Sequence, residues 1–206
     1  MSELQLDARL KKMSKELDSD LSQIRSRLQS HYSSFNFTKE WANRFTMAFL
    51  LLAQNRAQSI IEGCHRVLSS ISDANVQEFN DISFDYFLNH DYEDLMHFGG
   101  CTLEQAWKTT TKAAPNNELL KVFSKLQRFC LCMGLQKYPA RFLLEFEEIP
   151  NDEKLWKKLF PQDYGQPNAS KTMLWPPIVY DRCDFNGSQE GSVAFFVYAT
   201  GALDRS

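Results

Sequence analysis

Seven bases between residues 105 and 141 form the clearest chemical pattern in this chain. They are Lys108, Lys112, Lys121, Lys125, Arg128, Lys137 and Arg141. Lys121, Lys125 and Arg128 follow the i, i+4, i+7 spacing of one helical face. Lys108 and Lys112 are four apart in an earlier predicted helix. Like charges at this spacing repel by roughly 0.2–0.5 kcal/mol per pair. The pattern therefore predicts binding of an anionic partner, either a phospholipid surface or an acidic protein.

An acidic segment lies just before these bases and offers a purely structural alternative. Seven acids and no lysine or arginine lie between Asp73 and Asp94. If this segment folds over the basic helices, the charges neutralise each other within the fold, and the sequence leaves both alternatives open. Nucleic acid is the weakest partner, because the net charge is −3 and no helix-turn-helix, zinc or RNA-binding signature accompanies the bases.

The histidines and cysteines give little support for catalysis or metal binding. His97 and Cys101 are four apart, but two glycines between them break helical register. The group His90, Asp91 and Asp94 matches no metal-ligand spacing. The chain also lacks a glycine-rich phosphate loop, a G-x-S-x-G motif and an H-E-x-x-H motif. We therefore predict a protein that is not an enzyme and uses no cofactor or metal.

The composition is that of a globular protein of the cell interior. Of the 206 residues, 43% are apolar and 16 are phenylalanine, which is enough for a sizeable core. The 5 cysteines show neither a disulfide nor a zinc spacing, which favours buried thiols in the cytoplasm. The N-terminus does not have the basic and then apolar pattern of a signal peptide. The longest apolar run, residues 47–53, is well short of the ~20 residues that cross a bilayer, so we predict no transmembrane segment.

Residues 2–32 have the periodicity of one amphipathic helix. Its apolar positions recur at spacings of three and four: Leu6, Leu10, Met13, Leu17, Leu21, Ile24 and Leu28. Several of them are eleven residues apart, so the apolar seam should run nearly straight along one face. Such a helix either docks on its own domain or is the end of a coiled coil, and the sequence leaves both open. For a homo-oligomer formed through this helix, we predict contacts at Leu10, Leu17, Leu21, Ile24 and Leu28.

The rest of the chain, residues 33–206, is predicted to form one globular domain behind the helix of residues 1–32. Helical periodicity covers residues 38–71, a helix that starts at Thr102 and must end before Pro115, and a helix from Asn117 that must end before Pro139. Residues 73–98 are expected to be irregular, with buried anchors such as Phe84. Strands are predicted at 141–146, 173–180 and 192–198. Helices first and strands last predict an α+β, mostly helical class, in which a helical bundle carries a small C-terminal β-sheet.

Three C-terminal segments resemble the C-terminal domain of the mitochondria-eating protein family. LCMGLQKYP at 131–139 is similar to an apolar helix that ends at a proline, and FPQDYG at 160–165 to an aromatic turn. LWPPIV at 174–179 and VAFFV at 193–197 resemble the family's tryptophan–proline strand and its closing strand. Two features depart from the family pattern, the second proline, Pro177, and the long polar loop 181–191. Because proline gives no ladder N–H, we expect Trp175 to be buried and both prolines to lie at an edge or a bulge.

The resemblance extends over roughly residues 33–206 and implies a role in mitochondrial quality control. It implies coiled coils upstream of the domain, self-association and an association with cardiolipin of mitochondrial membranes. We therefore predict a cytoplasmic protein, peripheral to mitochondria, that binds anionic lipid through the seven bases. The alternative is an interaction adaptor whose basic face meets an acidic protein. The lipid contacts are inferred from charge alone, since the resemblance transfers none of them.

Overall fold

The mostly helical class predicted from the sequence is confirmed for the described part of the chain. A computed structural model describes residues 3–31, 39–71, 75–89, 117–136, 139–144, 171–180 and 200–203. Its helices are α1 (Glu3–His31), α2 (Lys39–Ser69), α3 (Val76–Asn89) and α4 (Asn117–Gly134). Its strands are β1 (Ala140–Phe142), β2 (Lys171–Trp175), β3 (Ile178–Tyr180) and β4 (Thr200–Leu203).

The chain divides into two compact units. One comprises Met1–Leu51 with Ala140–Ser206, and the other comprises Leu52–Pro139. The division between the units falls inside α2. The predicted boundary between residues 32 and 33 lies outside the described residues, so it stays a prediction.

In the first unit, α1 buries a narrow stripe with alternating spacings of four and three. The stripe consists of Leu10, Ser14, Leu17, Leu21 and Ile24, each at most 5% exposed. This spacing is a seven-residue repeat, which keeps the stripe on one side of the helix. Met13, which the sequence placed in the seam, is half-buried, and the neighbouring Ser14 is fully buried.

A loosely paired acid and base lie beside this stripe. An Arg25 guanidinium nitrogen is 3.9 Å from an Asp18 carboxylate oxygen. Burial raises the pKa of Asp18, although the charge of Arg25 opposes the rise. Burial likewise lowers the pKa of Arg25 against the opposing effect of Asp18. Since the cost of burial is the larger effect on both side chains, the pair adds little to stability.

The strands of the first unit form two antiparallel pairs. Strand β1 pairs with β3, with Arg141 opposite Val179, and β2 pairs with β4, with Met173 opposite Gly201. Residues 173–180 were expected to be one strand, but they are two strands with different partners. The predicted strand at 192–198 lies outside the described residues.

The two prolines mark the point where the chain changes partner. Pro176 and Pro177 are buried between β2 and β3, outside both ladders, where no ladder donor is missed. The Pro177 carbonyl accepts a hydrogen bond from the Leu143 amide at 2.9 Å. Trp175 follows a bulge in β2, is 2% exposed and packs edge to face on Phe142. The expectations for Trp175 and for both prolines are therefore confirmed.

The second unit is organised around α4, which is buried on nearly every side. Its buried positions are Leu119, Val122, Phe123, Ser124, Leu126, Gln127, Phe129, Cys130, Leu131, Cys132 and Met133. Helix α3 packs on α4 and buries Phe84 and Leu88. At the far end of α4, a Cβ at Gly134 would lie 2.6 Å from Cδ1 of Ile61 in α2. A larger residue at this position would require the Ile61 side chain to move.

Candidate anion-binding surface

Four of the seven predicted bases lie in the described part of the chain. Lys121, Lys125 and Arg128 are in α4, in the second unit, and Arg141 is in β1, in the first. The Arg141 side chain is half-buried, and its Nη1 donates a hydrogen bond to the Phe142 carbonyl at 3.5 Å. The other three, Lys108, Lys112 and Lys137, lie outside the described residues.

The three bases of α4 lie on one stripe, as their spacing predicts. Between residues 121 and 133, all positions of the helix apart from these three bases are buried. Lys121 is exposed, whereas Lys125 and Arg128 are half-buried. We call Lys121, Lys125 and Arg128 the α4 basic stripe. Along these positions, the only part of α4 that reaches solvent is basic.

Arg128 also has a structural role that the sequence did not reveal. Its Nε donates a hydrogen bond to the Phe87 carbonyl, and its Nη2 donates one to the Leu88 carbonyl at 2.9 Å. The last carbonyls of a helix have no partner within the helix, and a positive charge at that end is favourable. Arg128 thus caps the C-terminal end of α3, whose own last turn contains no base.

The acidic segment lies partly beside the basic stripe. Its described part, α3, packs on α4, and Arg128 of α4 donates hydrogen bonds to two backbone carbonyls of α3. Three acids of this segment, Glu78, Asp81 and Asp85, are exposed. Part of the charge pattern is therefore used inside the fold, while Lys121 remains at the surface.

The described residues offer no metal site. They contain no group of three or more histidine, cysteine or acidic residues that could hold an ion. The groups weighed from the sequence, His97 with Cys101 and His90 with Asp91 and Asp94, lie outside these residues.

The cysteines of α4 and the histidine of α2 are explained by packing. Cys130 and Cys132 are buried free thiols, and burial, with a smaller effect of Cys132, raises the pKa of Cys130. A thiol that stays protonated is a poor nucleophile. Nε2 of His65 lies 2.7 Å from Oδ1 of Asn80, which ties α2 to α3 within the second unit.

The predicted self-association seam is largely covered by the protein's own chain. Leu10, Leu17, Leu21 and Ile24 are between 1% and 5% exposed in a single copy. The side chain of Leu28 lies outside the described part. Of the two alternatives from the sequence, this burial favours docking within the chain, and self-association through these positions stays a prediction.

Comparison with known proteins adds no relative. No protein-family model, curated protein or solved structure matches this chain. The resemblance to the mitochondria-eating protein family therefore stays a prediction. Among the described helices, none is long and apolar enough to cross a membrane.

Proposed function

We propose that this protein is a non-enzymatic domain that binds anionic phospholipid, above all cardiolipin, at the mitochondrial surface. The observation that supports the proposal is the α4 basic stripe, because between residues 121 and 133 only these three bases of the helix reach solvent. The resemblance in the C-terminal segments supplies the mitochondrial setting. Self-association through α1 would add avidity, provided that α1 leaves its docked position.

The expected lipid affinity of the stripe alone is low. Each base near an anionic surface contributes about 1 kcal/mol, so three bases contribute roughly 3 kcal/mol. A dissociation constant of about 1 mM already needs about 4 kcal/mol. Firm binding therefore requires further bases, and Lys108, Lys112, Lys137 and Arg141 are the candidates that the sequence offers.

Vesicle flotation with a charge-reversal variant tests the proposal. The full chain should float with phosphatidylcholine vesicles that contain cardiolipin and should not float with phosphatidylcholine alone. The double variant Lys121→Glu/Lys125→Glu should lose most of this binding. Arg128 is left unchanged because its replacement would also remove the cap of α3.

A matched control separates surface position from net charge. Lys11 and Lys15 are exposed lysines four apart in α1, so Lys11→Glu/Lys15→Glu makes the same change in net charge. This control should float like the unchanged chain. Binding should also weaken as salt shortens the Debye length from about 10 Å at 0.1 M to about 3 Å at 1 M. Equal losses in both double variants, or binding that survives both the α4 reversal and high salt, would refute the proposal.

A further inference from the structure

Helix α3 presents an apolar ridge and an acidic border on its solvent side. Ile82 and Tyr86 are one turn apart and are 64% and 45% exposed. Glu78, Asp81 and Asp85 are exposed as well. At about 100° per residue, these five positions fall on one side of the helix. We call these five residues the α3 outer face.

The ends of α3 are fixed by capping side chains. At its start, Oδ1 of Asn75 accepts hydrogen bonds from the amides of Gln77 and Glu78 at 3.0 and 3.2 Å. At its end, Arg128 donates to two carbonyls. A helix capped at both ends frays little, so its side chains keep their relative positions.

The inner side of α3 and one ring of the outer face are also held in place. Phe84 and Leu88 are buried, and α3 packs on α4. The ring of Tyr86 packs edge to face on Phe87, with 5.5 Å between the ring centroids. A partner would therefore meet a preformed surface, and binding would lose little conformational entropy in ordering it.

The charge of α3 determines which partner suits this face. From Val76 to Asn89 the helix has three acids and no lysine or arginine. The negative charge of α3 repels anionic lipid and nucleic acid and attracts a basic surface. To cover the apolar ridge, a partner needs apolar side chains spaced three or four residues apart, as on one face of a helix. A basic amphipathic helix satisfies both requirements.

We propose that the α3 outer face docks a basic amphipathic helix of a partner protein. Apolar residues of that helix cover Ile82 and Tyr86, and its lysine or arginine residues lie opposite the three acids. This interaction is separate from lipid binding at the α4 basic stripe. Either proposal can fail without the other.

Fluorescence anisotropy with a labelled amphipathic helical peptide of leucine and lysine tests this proposal on the full chain. Ile82→Ser and Asp85→Lys should each weaken peptide binding roughly tenfold, which corresponds to about 1.4 kcal/mol. The same peptide with glutamate in place of lysine should not bind. Circular dichroism should show unchanged helix content in both variants.

Two matched control variants in α2 test whether the peptide binds nonspecifically to exposed apolar or acidic residues. Val67 is 64% exposed, the same fraction as Ile82, so Val67→Ser removes an equally exposed apolar side chain. Glu62→Lys reverses an exposed acid outside α3. Neither control should change peptide affinity. If the controls weaken binding as much as the α3 variants, or if the α3 variants bind normally, the proposal is wrong. A self-associated form of the chain that Ile82→Ser converts to single copies would also overturn it, because the occupant would then be a second copy.

Discussion

Gln127 is the residue whose burial has the least evident compensation. It is 0% exposed on α4, and neither its Oε1 nor its Nε2 has a hydrogen-bond partner among the described residues. A buried polar group without a partner costs about 1–3 kcal/mol. Gln127→Met keeps the length and the helix propensity of the side chain, so it should raise the free energy of unfolding by about 1 kcal/mol or more.

Urea unfolding measures this change, and an exposed glutamine provides the control. Gln23→Met in α1 should leave stability within about 0.5 kcal/mol, since Gln23 is at the surface. If Gln127→Met destabilises the protein, the amide is bonded in solution, and its burial is compensated after all.

Single residues also show what the sequence could and could not predict. Trp175 was predictable because a large aromatic beside two prolines fits a buried position at the end of a strand, where the missing amides cost nothing. The deeper burial of Ser14 than of Met13 was not predictable, because both positions fit helical spacing and hydrophobicity favoured methionine. The choice depends on which side of α1 the rest of the chain covers, and that is a tertiary property.

Among the elements, the cap of α3 by Arg128 makes a quantitative prediction. Arg128→Ala removes two hydrogen bonds from a charged donor, each of which contributes about 1.5–3 kcal/mol. We expect a loss of roughly 3 kcal/mol or more in the free energy of unfolding, the lower end of the sum for two such bonds, measured by urea denaturation. The stability of Arg128→Lys should lie between that of the unchanged protein and that of Arg128→Ala, since lysine keeps the charge but lacks the planar guanidinium group.

The exposed lysine of the same stripe is the control for this prediction. Lys121→Ala should change stability by about 0.5 kcal/mol or less, because the side chain is at the surface. A loss in Arg128→Ala no larger than in Lys121→Ala would show that the two carbonyls need no cap.

Element positions were more predictable than the contacts between elements. The helix from Asn117 and the i, i+4, i+7 stripe on it follow from local periodicity, and both are present. The use of Arg128 as a cap joins residues 40 or 41 positions apart in the chain. Periodicity contains no information at that separation, so the sequence left open whether Arg128 binds an anionic partner or is neutralised within the fold, and it did not predict the cap.

At the scale of the whole molecule, the two charged surfaces of the second unit have opposite consequences. The α4 basic stripe should bind anions, and the α3 outer face should bind a basic helix. Salt weakens both interactions, so salt dependence alone cannot tell them apart. Charge reversal distinguishes the two interactions. Lys121→Glu/Lys125→Glu makes the second unit more acidic, so it should weaken lipid binding and should not weaken binding of the leucine–lysine peptide.

The mass of the full chain in solution decides between the two uses of the α1 stripe. One apolar face cannot be buried inside the chain and in a dimer at once, and its described seam leucines are at most 2% exposed in one copy. We therefore expect light scattering to give the mass of one chain, 23.9 kDa. Leu21→Asp should then lower stability by roughly 3 kcal/mol or more, since it buries a charge and removes core packing, with no change in mass. Ser22→Asp, at the adjacent exposed position, should change neither quantity by much. A mass of two chains that Leu21→Asp reduces to one, with the unfolding midpoint unchanged, would instead show that α1 joins copies of the protein.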